Sequence, residues 1–287
     1  MPSSDADLWP DSWSQEVQPR SVLSLAGIAL FLVAAPIAIA VYLFAADNKA
    51  QAGYATAFAA ICALILWIGY ESRFRRRRAG ADPITTVRLD NGSGALKIPY
   101  SLGIHVGVTL LMAAFAVLFS AATVHTIAVN PPGERAGAYL WAALAALFAS
   151  FPLLLLRRKY ALGYLLVSPE GIHHRGWTFQ SYLPWQGIKM IHPLQTDGPD
   201  ILITATDDTA WEPKQITRLW RADKPAAIPS DDGHSLKPAI HIPGKYLAAD
   251  PALVLAILVF YGKSSQARYE LATETALHRA QSAHFGS

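Results

Sequence analysis

The chain has 287 residues, 52% hydrophobic and only 16% charged, with a formal net charge of +3. Soluble domains carry charge on about a quarter of their residues, so the whole chain is not an ordinary soluble globule, and so small a basic excess leaves no electrostatic footprint for nucleic acid. The single cysteine, Cys62, rules out a disulfide within the chain and leaves the redox compartment open.

Residues 1–20 are polar and acidic (Asp5, Asp7, Asp11, Glu16), have no period, and read as a disordered tail containing Trp9 and Trp13. The apolar run that follows is longer than the core of a signal peptide and lacks a basic start, so it reads as a signal anchor. Residues 21–156 then hold four apolar runs, Val22–Ala45, Gly53–Tyr70, Val106–Val129 and Ala136–Leu156, none containing Asp, Glu, Lys or Arg. Each is close to the roughly 20 residues a helix needs to cross a hydrocarbon core of about 30 Å. Tyr42, Tyr54, Tyr139 and Trp141 collect towards one side, and Trp67, Tyr70, Tyr100 and Tyr160 towards the other, as interfacial aromatics do.

Orientation follows from the basic residues. The loop 71–104 carries Arg73, Arg75, Arg76, Arg77, Arg78, Arg88 and Lys97, and the exit of the fourth run adds Arg157, Arg158 and Lys159. The two other connections offer only Lys49 and Arg135. Positive charge marks the cytoplasmic side, which places both termini in the cytoplasm of a multi-pass plasma-membrane protein. Within the spans, Ala55, Ala59 and Ala63, and Ala142, Ala146 and Ser150, have the spacing that lets helix backbones approach. Pro36 and Pro152 predict local kinks.

In the basic loop, Thr85–Leu89 and Ala95–Tyr100 flank Asn91-Gly92, a hairpin signal. A lone hairpin is marginal in water, so it should lie against the later domain or the membrane surface. After Lys159 the texture becomes short strands, expected at Leu162–Ser168, Gly171–Arg175, Thr178–Leu183, Ile188–Pro193, Ile201–Thr206, Ile216–Leu219 and Ile240–Pro243, with a long loop over Arg221–Lys237. In the turn Ser168-Pro169-Glu170-Gly171, Pro presets φ and Gly is expected to supply a positive φ. Asp250-Pro251 opens a helix whose apolar body, Ala252–Tyr261, covers only about half a bilayer. It should cap a β core, and a last amphipathic helix is expected over Gln266–Ala283 within the segment 264–287.

Strands followed by one apolar helix outline a pleckstrin-homology (PH) fold. Leu166-Val167-Ser168-Pro169-Glu170-Gly171-Ile172, followed by Tyr182-Leu183-Pro184-Trp185-Gln186-Gly187-Ile188, resembles the signature of bacterial PH-like domains. The ending from Asp250-Pro251 to Arg268-Tyr269-Glu270-Leu271 is similar to actinobacterial membrane proteins of this group. The resemblance implies a PH-like β-barrel domain over 160–263, with Gly171, Pro184, Trp185 and Ile188 as motif and core residues. It implies membrane attachment and no agreed chemistry. PH domains that bind phosphoinositides carry Lys and Arg around the first hairpin turn, whereas this turn carries Glu170 and no base.

Other constellations are weak. His173 and His174 are neighbours in a strand, point to opposite faces, and cannot both hold one ion. No His, Cys or carboxylate spacing near His192, His234 or His241 reads as a metal site. Gly262-Lys263-Ser264 resembles the end of a phosphate loop but follows a helix and lacks the earlier glycine. His105 and His125 sit at the ends of the third span, where an interfacial role is simpler than a transport one. Arg73 and Arg75–Arg78 have two readings that can hold together: first a topology determinant, and second a contact for anionic lipid headgroups.

The expectation is therefore a non-enzymatic integral membrane protein without cofactor or metal. Its cytoplasmic PH-like domain would engage a protein partner or a second copy at the inner membrane face. The alternatives are a transporter or channel accessory subunit and lipid-headgroup binding through the basic loop.

Overall fold

A computed structural model describes residues 9–13, 19–73, 81–90, 92–196, 198–209, 211, 213–217, 219–220, 226–229 and 236–285, with backbone only at 19–26, 73, 229 and 236. The chain divides into two compact units, one of residues 16–71 and 103–158, the other of 1–15, 72–102 and 159–287.

The first unit consists of four helices: α1 (Pro19–Ala45), α2 (Lys49–Arg73), α3 (Leu102–Val129) and α4 (Ala136–Leu156). All four are long and apolar enough to cross a membrane. Several of their hydroxyls are satisfied within their own helix, as an apolar surround demands. Thr56, Thr109, Ser120, Thr123 and Thr126 each donate to the carbonyl four residues back at 2.8–2.9 Å. The small residues expected to bring backbones together do not all do so. Ala59 is buried on α2, but Ala63, Ala142 and Ala146 are exposed. Helices α3 and α4 meet instead through rings, Phe115 with Phe148 at 4.9 Å and Phe119 with Trp141 at 5.7 Å. Rings this large hold backbones too far apart for a small-residue seam to close. Gly103 lets the Glu71 carboxyl approach the first turn of α3, since a Cβ there would lie 2.7 Å from it. A carboxylate at a helix N-terminus is electrostatically favoured.

The second unit holds ten strands: β1 (Thr85–Arg88), β2 (Gly94–Pro99), β3 (Tyr164–Val167), β4 (Gly171–Arg175), β5 (Phe179–Pro184), β6 (Ile188–Gln195), β7 (Pro199–Ala205), β8 (Lys214–Gln215), β9 (Ala226–Pro229) and β10 (Leu236–Pro243). They form a six-stranded sheet in the order β1-β2-β3-β4-β5-β8 and a four-stranded sheet in the order β6-β7-β10-β9. Every pairing is antiparallel. The β-barrel expected here is corrected to two open sheets: β1 and β8 end one and β6 and β9 the other, with no ladder joining them among the described residues. The chain leaves the first sheet at the Trp185–Gly187 turn and β6 starts the second.

The hairpin in the basic loop belongs to the sheet itself, because β2 pairs with β3 from Leu96↔Val167 to Pro99↔Tyr164. Its turn carries Gly92 at φ 83°, as the Asn-Gly signal requires. Period-2 alternation then explains the core. Across β2, β3, β4 and β5 the row Leu96–Val167–Ile172–Leu183 is completely buried. The second sheet buries Ile201, Ile203, Ile240 and Ile242.

Helix α5 (Pro251–Lys263) packs against β6 and β7 with Val254, Ile257 and Leu258 buried. The Asp250 side chain caps it by accepting from the Ala252 N–H at 2.8 Å. Beyond α5 the expected single helix is broken into a 3-10 turn, Ala267–Ala272, and α6 (Glu274–Ser282). Thr273 adopts extended backbone at the break and its hydroxyl accepts from Thr275 N–H. Within the tail read as disordered, residues 9–13 form a turn. Trp13 there is 1% exposed, its Nε1 donating to the Leu194 carbonyl at 3.1 Å, because an indole can bury its ring once its N–H has a partner.

Candidate functional site

The motif residues come together at one end of the first sheet. Gly171 pairs with Pro184 across β4 and β5. The glycine is needed for close approach and not for a positive φ, since Gly92 is the described glycine with one. A Cβ at 171 would lie 2.5 Å from the Leu183 carbonyl oxygen. Ser168 closes the turn, accepting from Gly171 N–H at 3.2 Å and donating to its carbonyl at 3.0 Å. Trp185 is 3% exposed, donates from Nε1 to the Ser168 carbonyl at 2.7 Å, and lies under the Arg268 guanidinium at 4.9 Å. Ile188 opens β6 and is half-buried. These residues build a core and leave no reactive group open. Arg73 ends α2, and Arg75–Arg78 lie outside the described residues.

The strand alternation that buries one face of the first sheet turns its other residues outward. The outward rows are Lys97–Leu166–His173–Tyr182 and Tyr164–Arg175–Gln180–Lys214. The Lys97 ammonium sits 5.1 Å from the Tyr164 ring centroid, and the His173 and Tyr182 rings lie 4.3 Å apart. Arg175 donates from Nη1 to the Phe179 carbonyl at 3.0 Å, which fixes its stem in the β4–β5 turn. Between these side chains is a cavity of about 170 Å³ lined by Tyr164, His173, Arg175 and Tyr182 among others. Three permanent cations, two phenols and no carboxylate make the described part of this face a donor surface. It suits anions.

His174 behaves oppositely to its neighbour, as alternation requires. It is 2% exposed, its Nε2 lies 2.7 Å from the Tyr100 hydroxyl, and its Nδ1 has no partner. Burial, with His241 adding a smaller repulsion, lowers its pKa to about 3. In the second sheet, Asp200 is buried and accepts from His241 Nε2 at 3.1 Å, from Gly244 N–H at 3.0 Å and from the Thr196 hydroxyl. Burial alone would raise its pKa; these hydrogen bonds, from His241 and Thr196 first, outweigh it and hold the carboxyl below its ordinary value. Sequence reasoning missed this cluster because Asp200 lies 41 residues from His241 and 44 from Gly244. No group of three or more His, Cys, Asp or Glu residues converges as a metal site among the described residues.

In the helical unit an apolar groove of about 1500 Å³ runs along α2 and α3, past Gly53, Ala57, Leu64, Trp67, Leu110 and Val117. Its lining is apolar apart from Ser120 and, among ionisable and aromatic polar residues, Lys49, Tyr54, Trp67 and His125, with no carboxylate among them.

Comparison with protein-family models, with curated proteins and with solved structures gave no match.

Proposed function

We propose that this chain is a multi-span plasma-membrane protein with both termini cytoplasmic. Its sheet-rich unit is a PH-like domain that acts, without catalysis, as a docking platform for a protein partner or a second copy. One observation carries this reading: the outer face of the first sheet gathers cations and rings, with His173, Gln180 and Lys214 exposed, on a chain that also has four helices able to span a membrane. Interfaces favour this composition, Arg and Tyr with a small cavity to fill. Support for the PH-like fold comes from two antiparallel sheets followed by an apolar helix and from the Trp185 motif. The six-stranded first sheet, with β1 and β2 contributed by the basic loop, departs from the simplest version of that fold. Arg73 and Arg75–Arg78 add attraction to anionic lipid, at about 1 kcal/mol per basic residue near the surface.

A photo-crosslinking amino acid at His173 or Tyr182 tests the reading in native membranes, with Tyr269 as the control on another exposed surface. Discrete adducts from 173 and 182 and none from 269 are expected, a dimer-mass adduct marking a second copy. No adduct from any position, or the same adducts from all three, would overturn it.

A further inference from the structure

The outer face of the first sheet has a charge pattern more specific than the docking role, and the following inference rests on that role. The register places Arg175 and Lys214 on either side of Gln180, and Lys97 across β3 from His173. With strands about 4.8 Å apart, the Cα atoms of neighbouring cations, Lys97 to Arg175 and Arg175 to Lys214, stand roughly 10–12 Å apart, and Lys97 and Lys214 about 20 Å apart. Tyr164 and Tyr182 stand between them, and the cavity lined by these two rings and Arg175 opens at the middle of the row.

That spacing decides between ligands. A phosphate or a phosphorylated headgroup is compact, and a site for it draws its cations together around a few oxygens. Here the cations are spread. Arg175 already has one N–H committed to the Phe179 carbonyl, and the Lys97 ammonium is held over a ring. An extended polypeptide advances about 3.3 Å per residue, so its acidic side chains two to four residues apart fall at the separation of neighbouring charges, and about six residues reach from Lys97 to Lys214. The phenol rings between them take the intervening apolar groups. We propose that this face binds an extended, carboxylate-rich segment of a partner protein, held by Lys97, Arg175 and Lys214, with Tyr164, His173 and Tyr182 contacting what lies between the acids.

The test uses the full chain in mild detergent and a fluorescein-labelled peptide of alternating Glu and Thr, read by polarisation, with the Lys-Thr peptide as reference. The Lys97 and Lys214 side chains face outward from their strands, and their pairing is through the backbone, which a substitution keeps, so the variant is Lys97→Glu with Lys214→Glu. Lys189→Glu with Lys263→Glu is the control with the same change in net charge elsewhere. Expected are binding of the acidic peptide alone, loss with rising salt, and an affinity weakened about tenfold or more by the first pair and little by the second. Equal weakening by both pairs would overturn the assignment, as would absence of peptide binding. Displacement of the peptide by inositol trisphosphate at lower concentration than by unlabelled peptide would also overturn it, in favour of a headgroup site. Crosslinked adducts that persist in the Lys97→Glu, Lys214→Glu variant would sink the acidic partner and leave the docking platform standing; absence of adducts in the unsubstituted chain would remove both.

Discussion

Trp185 and Trp211 are both indoles in the sheet unit, and their surroundings differ. Trp185 is sealed between the Ser168 carbonyl and the Arg268 guanidinium, whereas Trp211 is half-buried in a connection between strands. Truncating a buried aromatic to Ala costs about 3–5 kcal/mol. Trp185→Ala is therefore expected to speed amide exchange throughout β4 and β5 and lower the melting point sharply, with Trp211→Ala doing much less. Equal melting points would mean that Trp185 does not anchor the core. His174 supplies a pH dependence. Its pKa is about 3 in the fold, below the ordinary value near 6.5, so below pH 6.5 the unfolded chain binds a proton that the folded one refuses. Stability is full above that pH and falls as pH drops towards 3, by at most about 1.4 kcal/mol per pH unit. His174→Phe should flatten that part of the profile; an unchanged slope would assign it to other groups. The Trp185 motif was legible because it is local. The Tyr100–His174 pair spans 74 positions, and nothing in either neighbourhood announces it.

At the scale of elements, α5 follows from its composition: thirteen residues make about 20 Å of helix, too short for a bilayer and too apolar for water. Its burial against β6 and β7 resolves that conflict. Leu258 is fully buried, so Leu258→Ala should cost about 2–5 kcal/mol, measured by denaturant unfolding, and a cost under 1 kcal/mol would contradict its placement. The segment after α5 is held differently. Glu270 accepts from Arg279 at 2.6 and 3.1 Å and from the Tyr261 hydroxyl at 2.7 Å. Burial pushes its pKa up, but the hydrogen bonds from Arg279 and Tyr261 outweigh this and leave it lowered. The pin is thus present above the ordinary carboxylate range and is lost as pH falls through the depressed value. Glu270→Gln should raise amide exchange over 267–282 while leaving α5 protected. Unchanged exchange would show that the pair is not what holds the segment. Sequence pattern found α5 through its cap and length, yet missed β8 and β9. β8 has two residues, too few for any alternation, and β9 (Ala-Ala-Ile-Pro) lies in a Pro- and Asp-rich stretch where its pairing with β10 is all that makes it a strand.

For the whole molecule, the ladders constrain the path of the chain more tightly than charge alone. β2 and β3 are adjacent in one sheet although α3 and α4 lie between them in sequence. A membrane crossed by α3 must therefore be recrossed by α4 for the chain to re-enter that sheet. Trp13, which precedes α1, is bonded to Leu194 in the same unit, which applies the same closure to α1 and α2. Both conditions return the chain to the side it left; that this side is the cytoplasm rests on the positive-inside reading of Arg73, Arg75–Arg78 and Arg157–Lys159. The expected topology has the Pro132–Glu134 turn outside and the sheet unit, with both termini, in the cytoplasm. It is tested in a Cys62→Ala background with single cysteines at Gly133, Ser93 and Lys189. An impermeant maleimide applied to intact cells should label the cysteine at 133 and reach those at 93 and 189 only after permeabilisation. Labelling at 93 and 189 with protection at 133 would invert the protein in the membrane. Labelling at 93 but not at 189 would break the β2–β3 closure itself, since β2 is hydrogen-bonded to β3 and the chain runs from β3 through β4 and β5 to β6 with no span between.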